Sequence, residues 1–185
     1  MSAPNCARAW FSGRRRGSCM EVEAKVKVKI KEMEKRIRGL GARFIKKERQ
    51  EDMYFAHPSR DFKVRDEALR VRRVEGECIL TYKGARQDSR IKTRPEIETK
   101  VEETILDILR VLGFSEVRRV VKQRDTYQWD RLKVYLDRVE GLGEFLEVEG
   151  KDSEDKHKIL GLLGSLNIPR AELIRKSYLE MLEER

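Results

Sequence analysis

The chain has 185 residues, of which 41% are charged and 39% hydrophobic, and it carries a formal net charge of +9. This length fits one domain that buries roughly two thirds of the surface of its unfolded chain. No apolar run approaches the roughly 18 residues of a membrane span, which excludes a transmembrane helix. Cys6, Cys19 and Cys78 are odd in number and lack metal-ligand spacing, so we expect reduced thiols in a cytoplasmic protein with no membrane partner.

Residues 1–19 form a basic leading segment that contains four arginines and no acidic residue. Its composition loosely resembles a transit peptide, but we favour a disordered extension, or a chain whose true start is Met20. The folded domain is therefore predicted to cover residues 20–185. The Arg14-Arg15-Arg16 run is expected to be a solvated tail, with no obligate nucleic-acid partner.

A strand with one charged face is predicted immediately after Met20. Glu21, Glu23 and Lys25 alternate with apolar residues, and alternate side chains of a strand point to the same face. The same spacing recurs in four later segments: Arg70 and Arg72, Glu96 and Glu98, Lys122 and Arg124, Glu147 and Glu149. Charged pairs of both signs in five strands favour a closed or strongly curved sheet with an ionic interior, covered in part by helices.

The elements that follow the first strand recur in a second half of the chain. Each half begins with a Glu-x-Glu-x-Lys string, at Glu21 and at Glu96, and continues into an amphipathic helix that stops at Leu-Gly. A Gln-x-Asp-x-Tyr string comes next, from Gln50 in the first half and from Gln123 in the second. Two further strands close each half: 69–74 and 77–83, then 132–139 and 144–149. Each half is therefore predicted as β-α-β-β-β, and two halves give about eight strands in an α+β fold.

The two halves differ in charge. In their alignment Arg72 corresponds to Asp137, and Lys83 corresponds to Glu149. One half is therefore expected to supply cations and the other acids to a shared interior.

Two helices are predicted after Gly150. Ser153 is a candidate cap for a helix that carries Ile159, and Pro169 suits the first turn of a last helix that carries Tyr178. Both helices are expected to pack over the barrel. Lys176, in the last helix, either reaches the interior or is a solvated surface lysine.

An ionic interior requires a compensating partner, because buried charge is unfavourable unless it is paired, bound to a metal or neutralised by a ligand. The inward cations are Lys25, Arg70, Arg72, Lys83, Lys122 and Arg124, and the acids are Glu21, Glu23, Glu96, Glu98, Asp137, Glu147 and Glu149. A structural salt-bridge network would use both signs. A triphosphate site needs the same mixture, since Arg and Lys bind phosphate oxygens while carboxylates bind Mg²⁺ or Mn²⁺. No Ser-His-Asp arrangement is visible, and phosphoryl or nucleotidyl transfer requires none.

The ordered motifs resemble the CYTH superfamily, the triphosphate tunnel metalloenzymes, over residues 20 to about 180. The Glu21-x-Glu23-x-Lys25 string matches the N-terminal signature of that superfamily, and the later charged pairs follow it in order. The motifs that follow the signature are Arg70-x-Arg72, Lys83-Gly84, Glu96-x-Glu98, Lys122-x-Arg124, Asp137 and Glu147-x-Glu149. Within the superfamily, residues 52–62, the stretch 66–70 and Lys122-Gln-Arg124 are most similar to the class IV adenylate cyclase branch, of CyaB type.

This resemblance implies an eight-stranded antiparallel β-barrel, a tunnel that binds a triphosphate together with its Mg²⁺ or Mn²⁺. The metal side would comprise Glu21, Glu23, Asp137, Glu147 and Glu149, with Glu23, Glu147 and Glu149 as direct ligands. The phosphate contacts, and with them the catalytic groups, would be Lys25, Arg70, Arg72, Lys83, Lys122 and Arg124. Glu96 and Glu98 either pair with neighbouring cations or contact metal or base. A homodimer is expected by analogy with class IV relatives.

Three functions are consistent with these residues. In a class IV cyclase, ATP is converted to cyclic AMP and pyrophosphate. In a triphosphatase, water attacks tripolyphosphate, thiamine triphosphate or a nucleoside triphosphate. A non-enzymatic RNA or polyphosphate binder would use the basic charge alone and would need no carboxylates, so the acidic pairs argue against it.

Overall fold

The computed structural model describes residues 18–86, 92–152 and 154–185, with side chains from Glu21 onward apart from that of Lys92. The first half contains β1 (Ser18–Lys27), α1 (Ile30–Gly39), β2 (Arg43–Ala56), β3 (Ala68–Val74) and β4 (Glu77–Lys83). The second half contains β5 (Lys92–Val101), α2 (Ile105–Val111), β6 (Ser115–Trp129), β7 (Leu132–Val139) and β8 (Gly143–Gly150). The chain continues with α3 (Asp155–Ser165), a 3₁₀ turn (Arg170–Glu172) and α4 (Tyr178–Glu183). The predictions for residues 1–17 and for a Ser153 cap lie outside the described residues.

The eight strands form a closed antiparallel barrel in the order β1-β5-β4-β3-β2-β6-β7-β8. The predicted fold class is therefore confirmed. Exchanging each strand of the first half with its counterpart in the second leaves every pair of neighbours unchanged. The two β-α-β-β-β halves are thus equivalent units, and closure leaves no unpaired sheet edge.

The two Gln-x-Asp-x-Tyr strings lie on opposite faces of the barrel. Asp52 lines the interior and is paired with Arg72 on β3, whereas Asp125 is opposite Lys47 and Leu136, and Leu136 belongs to the apolar core under the helices. Opposed residues of antiparallel strands share a face, and a shift of one residue exchanges the faces. The strings mark equivalent strands, but they do not mark equivalent residues.

Helices α1 and α3 cover one side of the barrel over its main apolar core. Val22 and Val26, which alternate with the charged residues of β1, pack in one cluster with Ile37 of α1 and Ile159 of α3. The outer face of these strands is apolar because helices cover it, and the inner face is left for charge. None of the helices among the described residues has the length and apolar character needed to cross a membrane.

The predicted length of the last helix is wrong. Instead of one helix after Pro169, the chain forms a 3₁₀ turn, an extended stretch and the short helix α4. The Ile174 N–H donates to the Lys25 carbonyl at 2.8 Å, which ties the extended stretch to β1. Ser177 and Glu180 then form a capping box that begins α4. Such a box is a helix start signal, and the helical spacing of apolar residues across it concealed the break.

Leu136→Ala should lower the free energy of unfolding by about 2–5 kcal/mol, because the substitution leaves a cavity in the core. Leu136 is fully buried in the cluster under α1 and α3. Urea denaturation measures the loss. Val111→Ala is the control, since Val111 is 87% exposed on α2 and its truncation should change stability by less than about 0.5 kcal/mol. Equal losses in both variants would contradict this assignment of the core.

Candidate active site

The barrel encloses a cavity of about 980 Å³ that is lined by residues from all eight strands. Residues of the β2–β3 connection and of α4 complete the wall. Every residue proposed for the site from the sequence lies on this wall, with the exception of Asp137 and Lys176. Alternation along each strand therefore turns the charged positions inward together.

Eight charged residues of the strands form two opposing walls, while Lys25 and Lys83 pair with acids of the first wall and Glu147 pairs with Arg124 of the second. The acidic wall consists of Glu21, Glu23, Glu96 and Glu149, on the adjacent strands β1, β5 and β8. The basic wall consists of Arg70, Arg72, Lys122 and Arg124, on β3 and β6, the two strands that flank β2. In the closed order β1 and β2 are four strands apart in either direction, so the walls face each other across the cavity.

Within the basic wall, Lys122 and Arg124 share Asp137 as a counter-anion. Arg124 donates from Nε to Asp137 Oδ1 at 2.7 Å and from Nη2 to Oδ2 at 2.6 Å, and Lys122 Nζ donates to Oδ2 at 3.1 Å. Burial, with the nearby Arg124 guanidinium, lowers the pKa of Lys122 to about 8. The positive charge is disfavoured there, and a bound anion would relieve it.

The other half of the basic wall is fixed by Asp52. Arg72 donates from Nε to Asp52 Oδ1 at 2.6 Å and from Nη2 to Oδ2 at 2.8 Å, a forked pair. Arg70 Nη1 lies 3.7 Å from the same carboxylate, and Arg70 Nη2 donates to Thr81 Oγ1 at 3.0 Å. Burial alone would raise the pKa of Asp52, but Arg72 and Arg70 hold it well below its usual range. Asp52 therefore stays ionised and holds both guanidinium groups in place.

Lys25 connects β1 with β8. Its Nζ lies 3.1 Å from Glu23 Oε1 and 3.0 Å from Glu147 Oε1. Glu147 also accepts a hydrogen bond from Arg124, so this carboxylate lies between the two walls. Burial alone would raise the pKa of Glu147, but Lys25 and Arg124 hold it well below its usual range.

Glu149 is the least compensated acid of the acidic wall. Burial and the neighbouring charge of Glu21 raise the pKa of Glu149 to about 7. Glu21 itself is paired with Lys83, whose Nζ lies 2.7 Å from Glu21 Oε2 and 3.2 Å from Glu96 Oε2. Negative charge is thus crowded on this wall as positive charge is crowded on the other.

Residues 20–178 match the CYTH domain family. A protein of Methanocaldococcus jannaschii, named provisionally as an adenylate cyclase, is 44% identical over 171 residues, which are 86% of this chain and 98% of that protein. The chain belongs to the CYTH family. This confirms the resemblance on which the sequence predictions rest.

Solved structures share the CYTH barrel. The PH1819 and PH1012 proteins of Pyrococcus horikoshii each have a TM-score of 0.77, at 39% and 33% identity, over 89% and 86% of this chain and 99% and 98% of theirs. The HpAC1 protein of Hippeastrum, an adenylyl cyclase candidate described with a dominant triphosphatase activity, has a TM-score of 0.68 at 18% identity. That likeness covers 90% of this chain and 95% of HpAC1, and it concerns the fold alone.

Triphosphate tunnel enzymes of the CYTH family generally depend on a metal ion. Among the described residues, no three Asp, Glu, His or Cys side chains already form a ligand set. The donors nevertheless fit a hard divalent cation, because the acidic wall offers carboxylate oxygens. Glu23 and Glu149 are opposed across the β1–β8 pair, and burial together with the charge of Glu21 raises the pKa of Glu149, a shift that a bound cation would counteract.

Two residues proposed from the sequence lie off the cavity wall. Asp137 is fully buried behind Lys122 and Arg124. Lys176 precedes α4, and its half-exposed side chain pairs with Glu184 at 2.5 Å, while its carbonyl accepts from Lys25 at 3.4 Å. The Lys176 ammonium group therefore lies on the surface, and only the backbone carbonyl of this residue contacts a cation of the site, Lys25.

Glu96 and Glu98 pair with cations, which is one of the two roles considered for them. Glu96 is bound to Lys83, and Glu98 accepts from Thr81 at 3.2 Å and lies 3.9 Å from Arg70. Both side chains lie on the cavity wall.

Sequence reasoning missed two residues of the site, Asp52 and Tyr178. Asp52 entered only as part of a repeated string and of the stretch 52–62, with no role in the site, although its spacing of two from Gln50 and Tyr54 already gave it a strand face. Tyr178 was assigned to an apolar helix face, and no local pattern distinguishes it from a core residue. Its ring lies 4.2 Å from Lys25 Nζ, and its hydroxyl donates to Asp137 at 3.0 Å.

Asp52→Asn should destabilise the fold by about 3 kcal/mol at neutral pH, because Arg70 and Arg72 lose a buried counter-charge. The pKa of Asp52 is lower in the folded protein than the unfolded value of about 3.9. The pair therefore stabilises the fold above about pH 4, and its contribution is lost as the pH falls through the lower folded-state pKa. Urea unfolding of both proteins measures the difference, which should shrink between about pH 5 and pH 2. A difference that stays constant over that interval would contradict the assignment.

Proposed function

We propose that this CYTH protein is a metal-dependent enzyme that acts on a triphosphate bound inside the barrel. The observation that supports it most directly is the opposition of a basic and an acidic wall across one cavity. Guanidinium and ammonium groups bind phosphate oxygens, and carboxylates bind divalent cations. A complex of a triphosphate with Mg²⁺ or Mn²⁺ matches both walls at once.

The acidic wall makes the metal a requirement of this proposal. A free triphosphate would bring its negative charges towards the acidic wall, where burial and the charge of Glu21 already disfavour the negative charge of Glu149. Repulsion at these distances inside a cavity is stronger than in water. Glu23, Glu147 and Glu149 would hold the ion, with Glu21 as a further candidate, and the bound ion would neutralise phosphate charge.

The cations of the cavity would bind and orient the phosphates. Lys25, Arg70, Arg72, Lys83, Lys122 and Arg124 all lie on its wall. Their counter-anions hold them in fixed positions, so little reorganisation is needed as negative charge develops on the phosphoryl group. Closure of the barrel around the phosphates would limit the access of bulk water to the reacting centre.

We favour the conversion of ATP to cyclic AMP and pyrophosphate. The ribose 3′-oxygen would attack the α-phosphorus and lose its proton, while the bond to the bridging oxygen breaks and pyrophosphate leaves. The Methanocaldococcus jannaschii relative, at 44% identity, is named for this activity. The cavity of about 980 Å³ lies at the upper end of the range for small-molecule sites, about 300–1,000 Å³, which leaves room for a nucleoside beside the phosphates.

Hydrolysis of a triphosphate is the second candidate. Water would attack a terminal phosphorus of tripolyphosphate, thiamine triphosphate or a nucleoside triphosphate, and the two walls would suffice without any contact to a base. The HpAC1 protein, which has the same fold, is described with a dominant triphosphatase activity.

Product analysis distinguishes these reactions. The purified full chain would be incubated with ATP or with tripolyphosphate, in the presence of Mg²⁺, of Mn²⁺ or of a chelator. A cyclase should release cyclic AMP and pyrophosphate in equal amounts, whereas a triphosphatase should release orthophosphate and no cyclic AMP. Either activity should disappear with the chelator. Metal-dependent binding of neither substrate would contradict the proposed function as a whole.

Glu149→Gln should reduce metal-dependent turnover by roughly a hundredfold or more, because a neutral amide is a poorer ligand for a hard cation. The variant should be at least as stable as the wild type, since burial and Glu21 already disfavour the negative charge of Glu149. Steady-state rates and thermal unfolding measure the two effects. Glu77→Gln is the control, since Glu77 pairs with Lys100 on the exposed surface and lies off the cavity wall. Full activity in the Glu149 variant would remove this residue from the metal site.

A further inference from the structure

Tyr178 brings the C-terminal segment into the basic wall. It is the first residue of α4 and is 5% exposed, with its ring on the cavity wall. The Lys25 ammonium lies 4.2 Å from the ring centroid and the Lys122 ammonium lies 5.1 Å from it. Both distances are within the range of cation–π attraction. The ring thus contacts two of the cations assigned to the phosphates.

The Tyr178 hydroxyl acts on the same cations through Asp137. It donates to Asp137 Oδ2 at 3.0 Å, the oxygen that also accepts from Lys122 at 3.1 Å and from Arg124 at 2.6 Å. Asp137 Oδ1 accepts from Arg124 Nε at 2.7 Å. Four donors therefore surround this fully buried carboxylate, which lies off the cavity wall. Three of the four donors converge on Oδ2, so this oxygen has no lone pair left for a metal in the cavity, and Oδ1 is held by Arg124.

The position of Tyr178 is set by contacts on both sides of it in the chain. The Ile174 N–H donates to the Lys25 carbonyl at 2.8 Å. Ser177 caps α4 together with Glu180, and Glu180 pairs with Arg86 at 2.8 Å. The Tyr178 ring packs edge-on against Phe145, with centroids 5.1 Å apart. The phenol is therefore held in one place without help from a ligand.

We infer that Tyr178 is a positioning residue, which orients Asp137 so that Asp137 serves as the anchor of Lys122 and Arg124 and not as a metal ligand. This inference rests on the proposed function, because it concerns the affinity of the basic wall for a triphosphate. Its consequence is that a residue outside the eight strands sets the strength of phosphate binding.

Tyr178→Phe tests the inference, because it removes the hydroxyl and keeps the ring beside Lys25 and Lys122. The affinity of the full chain for tripolyphosphate with Mn²⁺, measured by calorimetry, should fall by roughly tenfold, as expected for the loss of a hydrogen bond to a charged group. In an Asp137→Asn background the same substitution should cause no further loss, because the two residues act through one contact.

Tyr127→Phe is the matched control. Tyr127 is also buried, and its hydroxyl donates to Glu34 at 2.8 Å on the outer side of the barrel, under α1. Both variants lose one tyrosine–carboxylate hydrogen bond, so both should unfold at a slightly lower temperature. Only Tyr178→Phe should weaken tripolyphosphate binding.

Two results would overturn the inference. If Tyr178→Phe lowers the unfolding temperature but binds tripolyphosphate as tightly as the wild type, the hydroxyl has a structural role only. If both tyrosine variants lose affinity equally, the effect is general destabilisation. A wild-type chain that binds no tripolyphosphate would overturn the proposed function and this inference together, so the two failures are distinguishable.

Discussion

Ion pairing inside the closed barrel is the interaction on which the rest of the structure depends. Four buried cations and two partly buried ones, Arg72 and Lys83, can share one interior because each is held by a carboxylate on its own strand or on a neighbouring one. Such pairs add little net stability, since desolvation offsets most of the attraction, but removal of one partner is strongly destabilising. The apolar faces of the same strands supply the stability instead, under α1 and α3 on one side of the barrel and under α2 on another. The inner face of the sheet thus carries the ion pairs of the site, and the outer face carries the apolar contacts that stabilise the fold.

The diverged repeat produces the polarity of the site. In the first half an acid on β2, Asp52, is paired in register with a cation on β3, Arg72. In the second half the signs are exchanged: the cation Arg124 is on β6, and the acid Asp137 is on β7. This exchange brings both cations to the strands that flank β2, whereas identical halves would have separated them. Carboxylates then dominate the opposite side, around β1. Two halves with equivalent strand order thus enclose a polar cavity because they differ in side-chain charge.

The alternation of charged and apolar residues was enough to predict a closed or strongly curved sheet with a charged interior, because alternate residues of a strand share a face. The eight-stranded antiparallel barrel followed from the family resemblance. Twelve of the 14 residues proposed from the sequence lie on the wall. The face of each strand was predictable, but contacts between strands distant in sequence were not. Asp137 was placed on the metal side by the family resemblance, and periodicity alone cannot tell the cavity surface from the layer behind it. The role of Tyr178 was not predicted, because it depends on an extended stretch that crosses to β1. Apolar spacing had indicated a continuous helix there. The repeated Gln-x-Asp-x-Tyr string marked equivalent strands but not equivalent positions, because similar strings need not share a register.

The acids of the interior differ in what they can do when a ligand enters. Asp52 and Asp137 are almost fully buried and each is bound by two cations, so they are anchors that stay in place. Glu23 and Glu149 lie on the cavity wall and face each other across β1 and β8. Under the proposed function, a triphosphate would contact the anchored cations without leaving either anchor unpaired, while the acids of the wall would bind its metal ion. Anchoring also keeps like-charged side chains close together before the ligand arrives. The free energy needed to overcome their repulsion is therefore supplied by folding, and binding does not have to supply it. The C-terminal segment belongs to this arrangement, since it fixes one of the two anchors from outside the barrel.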